Sequence, residues 1–218
     1  MTPEGSYGAE MAPLIQLIPR GPFGREDIQA FAEEQGWTPA EVTVPEGPIE
    51  ELAWVLGLVD ADSPEDSEEI ETVVVHWIED QRFQVDYLAV EGDDPESFAD
   101  WLRGELPLHS DQSLAQLTAS TRDDAALMRA LRRLGVNYAG RAFDSTSYGL
   151  LRWALHDPEP LVRRNALLAA SLLDWPELVP LLTYVSETEN DLAVREQALT
   201  TLDIVRDSTA APLGGSGN

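Results

Sequence analysis

Three histidines, forty carboxylates and fourteen arginines are the side chains of this 218-residue chain on which chemistry could be built. His76 lies inside an apolar run beside Trp77, His109 follows Pro107-Leu108, and His156 ends an apolar stretch just before Asp157. A triad or an acid–base pair needs its members to converge in space, and no spacing here unites a histidine with a nucleophile or base. At the end of a helix, His156 is accounted for by the helix dipole. The carboxylates are uninformative through their abundance: 40 of them supply a pair at any spacing, and none stands in an apolar setting that would raise its pKa. Asp60-x-Asp62-x-x-Glu65-Asp66 approaches a calcium loop but has Glu65 where the sixth-position glycine belongs. Gly21-x-x-Gly24 lacks the lysine of a phosphate-cradling loop.

All fourteen basic residues are Arg, and Lys and Cys are both absent. That excludes Schiff-base lysines, thiolate nucleophiles, disulfides and sulfur-built metal sites. The expectation is a non-enzymatic protein with no cofactor, no metal and no catalytic residue. The net charge of -26 opposes direct contact with nucleic acid or an anionic membrane and favours a protein partner with a basic surface.

That charge is unevenly placed. Residues 1–100 carry 25 acids and 3 Arg, a balance of -22, whereas residues 101–218 carry 15 acids and 11 Arg, a balance of -4. The densest run is Asp60, Asp62, Glu65, Asp66, Glu68, Glu69 and Glu71. It reads as a solvated loop of an acidic, arginine-using proteome, or as a surface that selects a basic partner. Asp60, Asp62, Glu65, Asp66, Glu68 and Glu69 are therefore candidate partner-binding residues. The polar first ten residues and the absence of an 18-residue apolar window point to a cytoplasmic protein without a membrane span.

The elements that must position these groups fall into two classes. Residues 12–19, 72–78 and 83–90 have the bounded, β-branched character of strands, with Val85, Tyr87 and Ala89 alternating against Asp86, Leu88 and Val90. Residues 52–59 fit either a strand or a helix period. Helices are predicted over 25–36, and from Asp94 as N-cap with Pro95 in the first turn. Beyond Leu106-Pro107 every apolar segment is helical in spacing: 115–117, 125–134, 150–155, 161–173, 178–185 and 192–205. The predicted fold is an α+β N-terminal domain, an antiparallel sheet with two helices, followed by an all-α helical repeat domain. The boundaries are a disordered N-terminus over 1–11, the acidic domain over 12–107, the repeat domain over 108–206, and a flexible tail over 207–218.

Leu161-Val162-Arg163-Arg164-Asn165-Ala166-Leu167 aligns with Ala193-Val194-Arg195-Glu196-Gln197-Ala198-Leu199 at an offset of 32, each after a polar turn and an apolar helix. One such pair of helices cannot cover its own apolar face, so neighbouring pairs must stack. The pattern Asp-Pro-Glu-Pro-Leu-Val-Arg-Arg-Asn-Ala-Leu followed by Leu-Asp-Trp-Pro-Glu-Leu-Val-Pro-Leu-Leu resembles short bacterial HEAT-type repeats, over residues 145–206 as two units and 112–138 as a degenerate third. The resemblance implies an α-solenoid scaffold that binds protein. It also implies structural roles for the turn Asp157 and Asp191 and for Arg163 and Arg195 in bridging adjacent units. Trp153 and Trp175 are either core or, if exposed on such an array, binding anchors. Arg129 and Arg133, one helical turn apart, are expected to bond acids of the N-terminal domain across the junction.

The reading that results is a protein-interaction module or adaptor, of the kind found among bacterial accessory, immunity or conflict-system proteins. Two alternatives stay open: an acidic mimic of nucleic acid that occupies a basic DNA-binding protein, and a lyase like the phycobilin-attaching members of the repeat family. The oligomeric state stays open as well.

Overall fold

The computed structural model describes residues 14–42, 47–59 and 70–210. The candidate residues Asp60, Asp62, Glu65, Asp66, Glu68 and Glu69, the N-terminus over 1–11 and the last eight residues lie outside them. The first half is β1 (Ile15–Leu17), α1 (Arg25–Glu34), β2 (Thr38–Ala40), β3 (Ile49–Val59), β4 (Ile70–Asp80), β5 (Val85–Gly92) and α2 (Pro95–Glu105). The second half is α3 (Asp111–Ser120), α4 (Asp124–Tyr138), α5 (Ser145–Ala154), α6 (Pro160–Ala170), α7 (Leu178–Thr188) and α8 (Leu192–Ala210). The predicted order, an antiparallel sheet with two helices and then a run of helices, is the order observed.

The sheet runs β1-β5-β4-β3-β2, antiparallel throughout. Residues 52–59 belong to β3, whose eleven residues pair with β4 from Ile49↔Asp80 to Val59↔Ile70. Cross-strand pairing of Trp54, Val55 and Leu56 with Val75, Val74 and Val73 resolves what a single-segment period leaves ambiguous. One strand was not anticipated. β2 contains Pro39 and is only three residues long, so its own composition argues against a strand; it is tolerated as an edge.

Alternation gives the sheet two faces. Leu17, Leu88, Val90, Trp77, Val75 and Trp54 share a core with Ile28 and Ala32 of α1 and Phe98, Ala99 and Leu102 of α2. A fully buried Trp77 or Leu88 stabilises by about 1.5–3 kcal/mol relative to exposure. Asp94 caps α2 as predicted, accepting from the Ser97 amide at 3.2 Å. Between β4 and β5 the buried Asp80 carboxylate accepts from the Arg82 and Phe83 amides and from the Arg82 guanidinium, which fixes the turn. Gln84 takes φ 52 there.

On the opposite face, α4 packs against β1 and β5. Ile18 and Val85 therefore enter the core of the helical half. Backbone bonds sew the junction: Arg20 donates to Pro107, His109 donates to Ile18, and Pro19 bridges Leu108. The Gln16 amide, oriented to satisfy its neighbours, donates to the Ala139 carbonyl at 3.2 Å. The predicted boundary at residue 107 thus falls within stitched chain.

The helical half is three hairpins, α3–α4, α5–α6 and α7–α8. Their second helices α4, α6 and α8 pack in succession. Gly135 lets α4 and α6 approach closely, since a Cβ there would lie 2.8 Å from the Ala169 Cα. Oxygen side chains cap the helices: Ser110, Asp123 and Asp144 accept from the amides of Ser113, Ala126 and Ser147. α8 continues to Ala210, four residues past the predicted end of the repeat domain.

Candidate functional site

Repetition at an offset of 32 lets one hairpin serve as the control for the next. Val162 and Val194, and Ala166 and Ala198, are all wholly buried at matching positions of α6 and α8. Arg163 carries the bridge between units. Its Nε and Nη2 donate to both carboxylate oxygens of Glu189 at 2.8 and 3.0 Å, and its Nη1 donates to the carbonyls of Asp157 and Pro158. Both side chains of this pair are almost fully enclosed, which strengthens a bidentate bond. Burial acts to raise the Glu189 carboxyl, but the Asp191 amide and the Arg163 guanidinium outweigh it and hold the group below its ordinary value.

The turn aspartates act on their own loops. Asp157 accepts from the Glu159 amide with its carboxylate and reaches Arg163 only through its carbonyl. Asp191 accepts from the Val194 amide and caps α8. Arg195, the counterpart of Arg163, is exposed and has no ion pair among the described residues. No described acid pairs with Arg195 as Glu189 pairs with Arg163.

The same asymmetry holds for the apolar surface. Leu167 of α6 is 0% exposed, and α8 lies against it: Thr201 donates to the Leu167 carbonyl, while Arg164 and Gln197 exchange hydrogen bonds. Leu199, its counterpart on α8, is 49% exposed, and Leu192 one heptad earlier is 58% exposed. Seven residues bring a helix back to nearly the same direction, so Leu192 and Leu199 lie on one face, flanked by Arg195, Glu196 and Asp203. That face is the one α6 covers with α8, and here it is bare among the described residues.

The two tryptophans separate. Trp153 on α5 is 45% exposed, and Tyr184 of α7 is exposed too, with the His156 ring stacked on it. Trp175 is 2% exposed, packs edge-on against Tyr138 and Phe143, and donates its indole N–H to the Arg141 carbonyl at 2.9 Å. It ties the α6–α7 connection to the α4–α5 loop, so it is withdrawn from any surface a partner could reach.

The arginine-rich α4 does not bond acids of the sheet in the way its sequence suggested. Arg132 donates to Asn165 of α6, and Arg141 makes a bidentate pair with Asp111 of α3 while lying over the Tyr138 ring. Arg129 and Arg133 have no ion pair across the junction among the described residues. Burial first, and then Arg129, lower the Arg133 guanidinium, with the nearby Asp86 of β5 opposing them. Burial works to raise Asp111, but hydrogen bonds from Arg141 and Asn137 hold it below its usual range.

His109 sits at the junction with Nδ1 3.0 Å from the Ser113 hydroxyl; burial lowers its pKa, and Arg20 and Arg133 act the same way. His76 lies between two glutamates on neighbouring strands, Nδ1 2.6 Å from Glu51 and Nε2 3.4 Å from Glu91. The second contact lacks hydrogen-bond geometry, which leaves Nε2 unsatisfied. Glu51 and Glu91 each stand two residues from the positions that pair with His76, a diagonal relation legible only once the register is known.

Comparison with protein-family models, with curated proteins and with solved structures gives no match.

Proposed function

We propose that this protein is a non-enzymatic adaptor that binds another protein through the open end of a short HEAT-type helical array, with its acidic α+β half favouring a partner that carries a basic surface. The observation that carries the reading is the pair Leu167 and Leu199: one position, wholly covered in the inner hairpin and half exposed in the terminal one. Leu192 extends that bare face, and Arg195 adds a guanidinium set where its counterpart holds a buried carboxylate. A helical segment with an apolar face and one acid would repeat the α6–α8 contact. The surplus of acids in residues 1–100 adds long-range attraction and faster encounter with a basic partner. Among the described residues no helix is long and apolar enough to cross a membrane.

The test is capture of partners from the native cell extract by the wild-type chain, by Leu199→Glu and by Leu161→Glu, an exposed leucine on α6. A stoichiometric protein should be recovered by the wild type and by Leu161→Glu and be depleted about tenfold or more by Leu199→Glu, the effect of placing a charge in a desolvated contact. Equal recovery by all three proteins, or no stoichiometric protein at all, would refute the reading.

A further inference from the structure

The opposite half of the molecule holds a second place that no described residue fills, unrelated to the helical end. β3 extends from Ile49 to Val59, but β2 pairs only with Ala53–Val55. From Leu56 to Val59, β3 has β4 on one side and no strand on the other among the described residues. Such an edge presents amides and carbonyls that only water or another strand can satisfy.

Beside this edge the chain parts and leaves a cleft of about 610 Å³. Its walls are Trp37 and Thr38 at the entry to β2 and Leu56 and Gly57 of β3, and Phe98 and Trp101 of α2 close it. The three aromatic rings touch one another: Phe98 and Trp101 have centroids 5.1 Å apart, Trp37 and Phe98 6.2 Å, and Trp37 and Trp101 6.5 Å. Trp37 and Phe98 are buried, whereas Trp101 is 38% exposed and presents its ring at the mouth. Aromatic faces carry a negative quadrupole, and a long side chain with an apolar stem and a cationic head suits such a cleft. A residue paired opposite Leu56 would direct its side chain to the face of the sheet on which Leu56, α1 and α2 pack, and so toward these rings.

Charge selects among extended segments. Exposed Glu33 and Glu34 end α1 just before the wall at Trp37, and exposed Glu96 lies on α2 with Phe98 and Trp101. The arginines of these elements are already engaged, Arg25 with Glu50 and Glu79, and Arg103 with Asp100. An acidic strand would be repelled here and a basic one drawn in.

We propose that the free edge of β3 receives a basic, extended segment of a partner protein as a sixth strand, with one arginine or lysine of that segment seated in the Trp37–Phe98–Trp101 cleft. Main-chain bonds to Leu56–Val59 supply affinity, and the cleft supplies the choice of side chain.

The probe is a fluorescein-labelled Val-Arg-Val-Arg-Val-Arg-Val-Arg peptide, with the matching Val-Glu peptide as comparator, titrated into the full chain by anisotropy at about 0.15 M salt. The basic peptide should bind and the acidic one should not. Trp101→Ala should weaken binding about tenfold, the usual loss on removing an aromatic anchor, and Trp153→Ala on the helical half should leave it unchanged. Amide exchange should slow over Leu56–Val59 on binding. Binding indifferent to Trp101→Ala, with no new protection at that edge, would overturn the proposal and mean that the acidic half holds the peptide by charge alone. Protection of Leu56–Val59 already present in the free protein would also overturn it, because another segment of this chain or a second copy then fills the edge. Neither result bears on Leu199→Glu, so this proposal and the helical-end reading fail separately.

Discussion

Arg163 and Arg195 stand at equivalent places in successive helical hairpins, as do Leu167 and Leu199, and the two pairs differ only in what lies against them. The inner arginine grips Glu189 and two carbonyls while the inner leucine is sealed under α8; the outer pair faces outward. Val, Arg, Ala and Leu recur at the same places of the two second helices, so identical residues at these positions differ in exposure through what is stacked on them. In a stacked array each unit completes the one before it, and among the described residues nothing completes the face of α8. A capping unit would carry polar residues on that face, yet α8 keeps Leu192 and Leu199 there.

Three comparisons between covered and uncovered positions, and one response to pH, would break or sharpen this contrast. The largest effect is expected at the tryptophans. Trp175→Ala should cost about 3–5 kcal/mol through the cavity and the lost bond to Arg141, whereas Trp153→Ala should stay within about 0.5 kcal/mol, both measured by urea unfolding. Next are the paired leucines: Leu167→Ala should lose about 3 kcal/mol, and Leu199→Ala almost nothing; equal losses would mean that α8 is covered in solution. The arginines follow. Arg163→Ala should destabilise by about 2 kcal/mol because it leaves Glu189 enclosed without its partner, while Arg195→Ala should be silent in thermal melts of the free protein.

The smallest expected effect is the response to acid. Glu189 and Asp111 are held below their ordinary values of 4.5 and 3.8, so the unfolded chain takes up their protons first. Their stabilisation is complete above those ordinary values and declines as pH falls through the lower folded ones. His109, also lowered, adds a milder decline that begins as pH drops below 6.5, where the unfolded histidine charges while the folded one stays neutral. Urea midpoints followed downward from neutral pH check both trends. Arg163→Ala should flatten the carboxylate limb and leave the His109 limb in place.

The sequence made some of this legible because the relevant signals are local. The period of residues 161–173 and 192–205, the Asp94-Pro95 start of α2 and the alternation of β5 are short-range patterns, and each names its element directly. The resemblance to HEAT-type repeats implied a bridging role for Arg163, but its partner Glu189 was missed because it precedes the Asp191 turn to which the motif drew attention. β2 was illegible for the opposite reason: three residues including Pro39 form a strand only because the edge of β3 is there to receive them. Nothing local tells Trp153, within a predicted helix, from Trp175, between two of them, as the exposed ring: Trp175 is buried by Tyr138 and Phe143, which are more than 30 residues away in the chain. The aromatic cleft also joins residues far apart in sequence, Trp37, Leu56 and Trp101, which no spacing rule connects.

The central claim, that the terminal hairpin is the docking face, is tested most directly by hydrogen–deuterium exchange of the protein alone and in complex with its captured partner. The account predicts new protection in α8 from Leu192 to Arg206, with α6 unchanged because α8 already covers it. Protection confined to the sheet or to α3, with α8 exchanging as in the free protein, would contradict it.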